Sequence, residues 1–136
     1  MAKLLWGLLC DRIIVDRETN ATSHIDVIDS IIVEKFPTVL FRAALALMWK
    51  AERENEELQI RILVNWPGAT EAIVVEPDKF PFEGLTHRFN LTVNNIKIEE
   101  AGELSFEVKH FVNGKWKKAD KFSYPITQIK EMKSTE

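Results

Sequence analysis

The chain has 136 residues, of which 46% are hydrophobic and 29% charged, with a formal net charge of -3. That size and balance describe one globular domain with a core of its own and exclude a disordered chain. The slight acidity gives no electrostatic pull towards nucleic acid or an anionic membrane, so neither is expected as a partner.

Leu4 to Cys10 is a short apolar run, and Ile13 to Val15 continues it after a bend. The run ends at once with Asp11 and Arg12, and no small-residue cleavage site follows, so it reads as a strand rather than an export signal. Leu9, directly before Cys10, is too bulky for lipoprotein processing, and no later segment approaches the ~18 apolar residues of a membrane span. A cytoplasmic location is expected, in which the sequons at Asn20 and Asn90 carry no glycan. Cys10 is the one cysteine, so no internal disulfide forms, and its leucine neighbours predict a buried, inert thiol.

Asp16 to Thr22 is polar and reads as a hairpin loop. Ile25, Val27, Ile31 and Val33 supply the next strand, with a kink at Asp29-Ser30. Val39 to Lys50 fits two periods. Its alanines favour a helix, which the acidic run Glu52 to Glu57 would extend. As a strand, it places Val39, Phe41, Ala43, Leu45, Leu47 and Trp49 on one face, with Leu40, Arg42, Ala44, Ala46, Met48 and Lys50 on the other. In the strand reading it pairs with the following run, and Ala51 to Glu57 is an exposed hairpin loop between them.

The second half alternates with a period of two. Leu58, Ile60, Ile62, Val64 and Trp66 share one face, and Pro67-Gly68 turns the chain. A short run at Ala72 to Val75 follows, then Phe80-Pro81-Phe82 between turn signals at Pro77-Asp78 and Glu83-Gly84. Phe89, Leu91 and Val93 form one further apolar face, and Leu104, Phe106 and Val108 another. Asn113-Gly114 is a hairpin signal leading into a last strand from Lys115 to about Thr127. A plain two-residue turn carried through in strict register sets Val108 against Ala119 and Phe106 against Lys121. A one-residue shift instead puts Leu104, Phe106 and Val108 on a face with Trp116, Phe122 and Tyr124. The last hairpin is therefore predicted to hold a bulge or an odd-length loop, with a three-residue loop and a left-handed Gly114 as the simplest form. Residues 1–129 read as a single domain and 130–136 as a flexible polar tail.

The opening Leu4-Leu5-Trp6-Gly7-Leu8-Leu9-Cys10-Asp11, the strand Ile25-Asp26-Val27-Ile28-Asp29-Ser30-Ile31 and the closing Gly102-Glu103-Leu104-Ser105-Phe106-Glu107-Val108 with Asn113-Gly114 resemble an uncharacterised family of small bacterial and phage proteins. The resemblance implies an all-β fold, an immunoglobulin-like β-sandwich of two antiparallel sheets, with no assigned function. It also favours the strand reading of Val39 to Lys50.

Chemistry-bearing residues are sparse. His24, His87 and His110 have no second metal ligand at a convincing spacing, and no metal or other cofactor is expected. His24 and Asp26 read as a solvated strand edge. His110 alternates with Val108 and Val112 and reads as a satisfied histidine at the rim of their face. Asp11, Asp16, Asp26 and Asp29 are too scattered for a calcium loop, and Glu52, Glu54, Glu56 and Glu57 read as a solvated cluster. Lys115, Lys117, Lys118 and Lys121 read as a solvated strand face. No catalytic residue is assigned.

Four aromatic residues are the candidate interaction sites. Phe80 and Phe82 sit in a loop, where they either cap the core or await a partner. Trp66 and Trp116 fall near strand ends. The expected function is a non-enzymatic protein–protein interaction module, a subunit or adaptor that binds a protein partner or itself through an open sheet edge or the phenylalanine loop. The alternative is a binder of small ligands or carbohydrate that uses an aromatic platform.

Overall fold

The structure, a computed structural model, describes residues 1–82 and 84–129; the tail expected at 130–136 lies outside them. Eleven strands follow in chain order: β1 (Lys3–Val15), β2 (Thr22–Val27), β3 (Ile31–Val33), β4 (Thr38–Lys50), β5 (Glu57–Leu58), β6 (Ile60–Asn65), β7 (Ile73–Val75), β8 (Phe80–Pro81), β9 (Thr86–Ile98), β10 (Gly102–Val112) and β11 (Lys115–Gln128). They form an all-β sandwich. One sheet has the order β2-β1-β4-β9, the other β3-β11-β10-β6-β7, and β5 pairs with β8 in a small two-stranded piece. Pairing is antiparallel except where β3 lies parallel to β11.

The alternating side chains predicted from sequence fill the space between the sheets. Leu45, Leu47 and Trp49 on β4 and Leu9 on β1 face Ile60, Ile62 and Val64 on β6 and Leu104, Phe106 and Val108 on β10. Each such side chain contributes roughly 1.5–3 kcal/mol by leaving water. Gly7 lies where β1 approaches β11 of the other sheet: a Cβ there would stand 2.5 Å from Phe122 across the interface and 2.9 Å from Leu47 of its own sheet.

Val39 to Lys50 is a strand, but its partners are β1 and β9, not β6. The segment after it crosses from one sheet to the other instead of turning back as a hairpin. Two backbone bonds fix the crossing, Ala51 N–H to the Leu85 carbonyl and Phe82 N–H to the Glu56 carbonyl, both close to 2.9 Å. The loop is exposed except at Ala51 and Glu56, whose side chains are buried. The predicted face of β4 also breaks. Ala43, Leu45, Leu47 and Trp49 point inwards as expected, but Phe41 is 74% exposed and Leu40 takes the core side. Asn95, opposite Phe41 in this register, has a φ of 54°, and its left-handed backbone turns β9 over at the same level, so the buried face that Val93 holds before it passes to Ile96 and Ile98 after it.

The segment expected as one kinked strand divides between the sheets, with β2 in the first and β3 in the second. The β1–β2 hairpin then folds back over the outer face of the first sheet. His24 pairs with Ile13 in the ladder, yet its ring lies 5.8 Å from Trp6 in an edge-to-face contact. At the hairpin tip, the Arg88 guanidinium donates to the Asn20 carbonyl at 2.8 Å. The bend falls at Asp11 and Asp26, the latter with φ at 54°, and Arg42 holds Asp11 at 2.7 Å. Cys10, Ala44 and Ala46, all on the covered outer face, are consequently buried. Their small side chains let the hairpin lie close.

The last hairpin contains the predicted bulge, in a different place. Val112 pairs with Lys115 across a two-residue turn in which Asn113 (φ 52°) and Gly114 (φ 77°) are both left-handed. The extra residue is Ala119, since Val108 pairs with Asp120 and Lys109 with Lys118. Leu104 then lies opposite Tyr124, and Phe106 opposite Phe122, as predicted. Trp116, on the far side of the bulge, pairs with Phe111 on the outer face and does not join the Leu104 set.

Gly7→Ala tests the closeness of the sheets. It should destabilise the fold by about 1–3 kcal/mol, the usual cost of overpacking, read as a lower urea midpoint with an unchanged slope.

Candidate functional site

The four candidate aromatics fall in three places. Phe80 and Phe82 meet where β8 pairs with β5, and they close the core. Phe82 is 5% exposed, and Phe80 stacks on Phe89 with ring centres 6.3 Å apart. His87 fits between them, 4.5 Å from Phe80 and 6.0 Å from Phe82. Of the two roles expected for this loop, the geometry is that of a cap.

Trp116 lies half-buried on the outer face of the five-stranded sheet. Phe111 meets it edge-on at 5.3 Å, and the Arg61 guanidinium sits 4.1 Å above its ring. Glu76 holds the same guanidinium at 3.2 Å. Trp66 stands just past β6 and packs partly against the core. Beside it a groove of about 390 Å3 runs between the β6–β7 turn and the far end of β9, bordered by Ile73, Ile96, Asn94 and Asn95. This groove separates the outermost strands of the two sheets, β9 and β7. Ile73 and Val74 on β7 are each about half exposed.

A second cavity, of about 640 Å3, opens between the Arg53–Gln59 segment and the tip of the β10–β11 hairpin. Its lining includes Glu56 and His110, the buried charged or polar side chains of the described residues. Glu56 accepts the Glu52 backbone N–H at 2.8 Å and lies 3.2 Å from the Met1 ammonium. Burial opposes its charge, but these donors hold its carboxyl below the ordinary range. His110 is the reverse case. It faces inwards with Val108, as its position predicted, and its ring lies 5.6 Å from Trp49. It makes no hydrogen bond to protein among the described residues, and it stands at the rim of the core, as expected, with its nitrogens open on the cavity. Burial lowers its pKa first, and the charges of Lys117 and the Met1 ammonium add to the effect. Alternation carried the signal for its inward position, while the empty space in front of it depends on a loop from another sheet.

The other flagged residues are structural. Asp16 caps its own turn, accepting the Glu18 and Thr19 N–H groups at 2.8 and 3.0 Å. His24 lies on the edge strand β2, as expected, and is half-buried there with its ring edge-on to Trp6. The Cys10 thiol is buried, as predicted, and donates to the Ala44 carbonyl at 3.5 Å. Burial, with help from Asp11, raises its pKa, which disfavours the reactive thiolate.

Two outcomes follow. Phe82→Ala should cost about 3–5 kcal/mol in urea denaturation, as for other large core truncations, and Phe80→Ala should cost less. An unfolded imidazole takes up its proton near pH 6.5, whereas that of folded His110 does so only at lower pH. Between the two the unfolded state binds more protons, so stability should fall as pH drops through that window. Urea midpoints measured at pH 7 and pH 5 should show this fall, and His110→Gln should reduce it.

No curated protein matches the chain. A family model does match it, over residues 5–122, and the chain therefore belongs to that family, described as a family of unknown function (DUF6941).

Proposed function

We propose that this protein is a non-enzymatic interaction module, a subunit or adaptor that takes up an extended segment of a protein partner at the side where β9 and β7 leave both sheets open. The observation that carries the reading is the pair of free edges flanking the Trp66 groove. An outermost strand presents unpaired backbone donors and acceptors that a further strand completes. The apolar side chains of Ile73 and Val74 and the Trp66 ring offer contacts beside that ladder. The burial and raised pKa of Cys10 support a non-enzymatic role, because they hold back the one thiol. The order β3-β11-β10-β6-β7, drawn from both ends of the chain, supports an immunoglobulin-like reading of the sandwich, and the insertion of β1 between β2 and β4 is its own variation. The lone cysteine and the weak net charge support a cytoplasmic setting without nucleic acid or membrane, and the resemblance adds a bacterial or phage host.

The alternative of a carbohydrate-binding aromatic platform has less support. Trp6 lies on the outer face of the first sheet, Trp49 in the core, Trp66 beside the groove and Trp116 on the outer face of the second sheet, so they do not form one surface.

Photo-crosslinking in the native host tests the reading. A crosslinker at position 73 or 92 should trap one protein partner, or a second copy, and one at position 23 should not. Ile73→Lys should weaken that association at least tenfold, about 1.4 kcal/mol, without lowering the melting temperature. Crosslinks confined to position 23, or undiminished binding by the lysine variant, would overturn it.

A further inference from the structure

We propose that the cavity between the Arg53–Gln59 segment and the β10–β11 hairpin binds a small oxyanion, a carboxylate or phosphate group on a small molecule, with the His110 imidazole and the Arg53 guanidinium as its donors. The inference is independent of the edge-strand reading, because this cavity and the Trp66 groove share no lining residue.

Size is the first argument. About 640 Å3 lies within the ~300–1,000 Å3 usual for small-molecule sites and is far more than one or two waters need. The second is an available donor. His110 is more than nine-tenths buried, lines the cavity and makes no hydrogen bond among the described residues. The buried side-chain atom without a partner among the described residues is Trp49 Nε1, behind the His110 ring, so the His110 nitrogens themselves open on the cavity and are free to donate to a ligand there.

The sign of the ligand follows from which charges are already matched. Both carboxylates of the lining are engaged, Glu56 by the Glu52 N–H and the Met1 ammonium, and Glu57 by Lys79 at 2.6 Å. Arg53 also lines the cavity, and its guanidinium forms no ion pair among the described residues. Lys117 on β11 and the Met1 ammonium both put positive potential on His110. The Met1 ammonium is matched by Glu52 and Glu56 and Lys79 by Glu57, which leaves Arg53 as the lining cation without a carboxylate partner among the described residues, and its charge favours an anion. An anion seated there accepts from the imidazole N–H and from the planar guanidinium fork. It also favours the protonated imidazole, so binding should raise the His110 pKa from its depressed value.

Nuclear magnetic resonance of the full chain provides the test. Inorganic phosphate and succinate are titrated separately at constant ionic strength, with chloride as the control. Saturable shifts at His110 and Asn113 should appear with a Kd below about 10 mM, together with a rise in the His110 pKa. Succinate binding alone would assign a carboxylate and phosphate binding alone a phosphoryl group; either supports the site. Arg53→Gln, a change at an exposed position, should weaken binding at least tenfold while leaving the remaining spectrum in place, and His110→Gln should do the same if it folds. Linear shifts, equal shifts with chloride, or an unchanged Kd in Arg53→Gln would overturn the proposal.

Discussion

The rest of the structure depends on β4 being buried on both of its faces. Leu45, Leu47 and Trp49 face the second sheet, while Ala44 and Ala46 lie under the folded-back hairpin. A strand covered on both sides has no solvent face on which to place polar residues, so it reads as a nearly continuous apolar run. The two covers are not equivalent. The sheet-to-sheet side takes large residues across the usual sandwich spacing, and the hairpin side takes alanine and cysteine because a ribbon lies directly on the backbone. The molecule is therefore three layers deep at this point, which explains how a small sandwich buries its single thiol.

Local breaks in strand geometry set the remaining arrangement. Ala119 reverses the face of β11 between Trp116 and Phe122, which keeps Phe122 in the core and leaves Trp116 outside with Arg61. The left-handed Asn95 exchanges the two faces of β9 beside a matching change in β4 at Phe41. Asp26 lies at the bend that brings the β1–β2 hairpin over its own sheet. Each break re-aims a whole strand segment, because a shift of one residue moves every later side chain to the opposite face.

These breaks also distribute the surfaces available for recognition. One side of the sandwich keeps two open edges and the Trp66 groove, suited to backbone pairing. The region around Glu56 and His110 is instead an open, polar-lined cavity. Phe80 and Phe82, brought beside that second region by the pairing of β8 with β5, seal the core. An apolar pair in a loop thus has an internal role.

The sequence by itself determined the all-β class, the inward faces of β6 and β10, the buried state of Cys10, the left-handed Gly114 and the need for a bulge in the last hairpin. All of these follow from period-two alternation, turn chemistry or local register, which act over a few residues. Alternation also put His110 on the inner side. Only the tertiary structure decided that β4 pairs with β1 and β9, that the β1–β2 hairpin covers Ala44 and Ala46, and that Phe82 caps the core. It alone set Glu56 and His110 around one cavity and left β9 and β7 as neighbouring free edges. Strand partners and cavity walls come from segments far apart in the chain, and the same alternating pattern fits any partner that offers an apolar face. Choosing among those partners takes the packing of the whole sandwich.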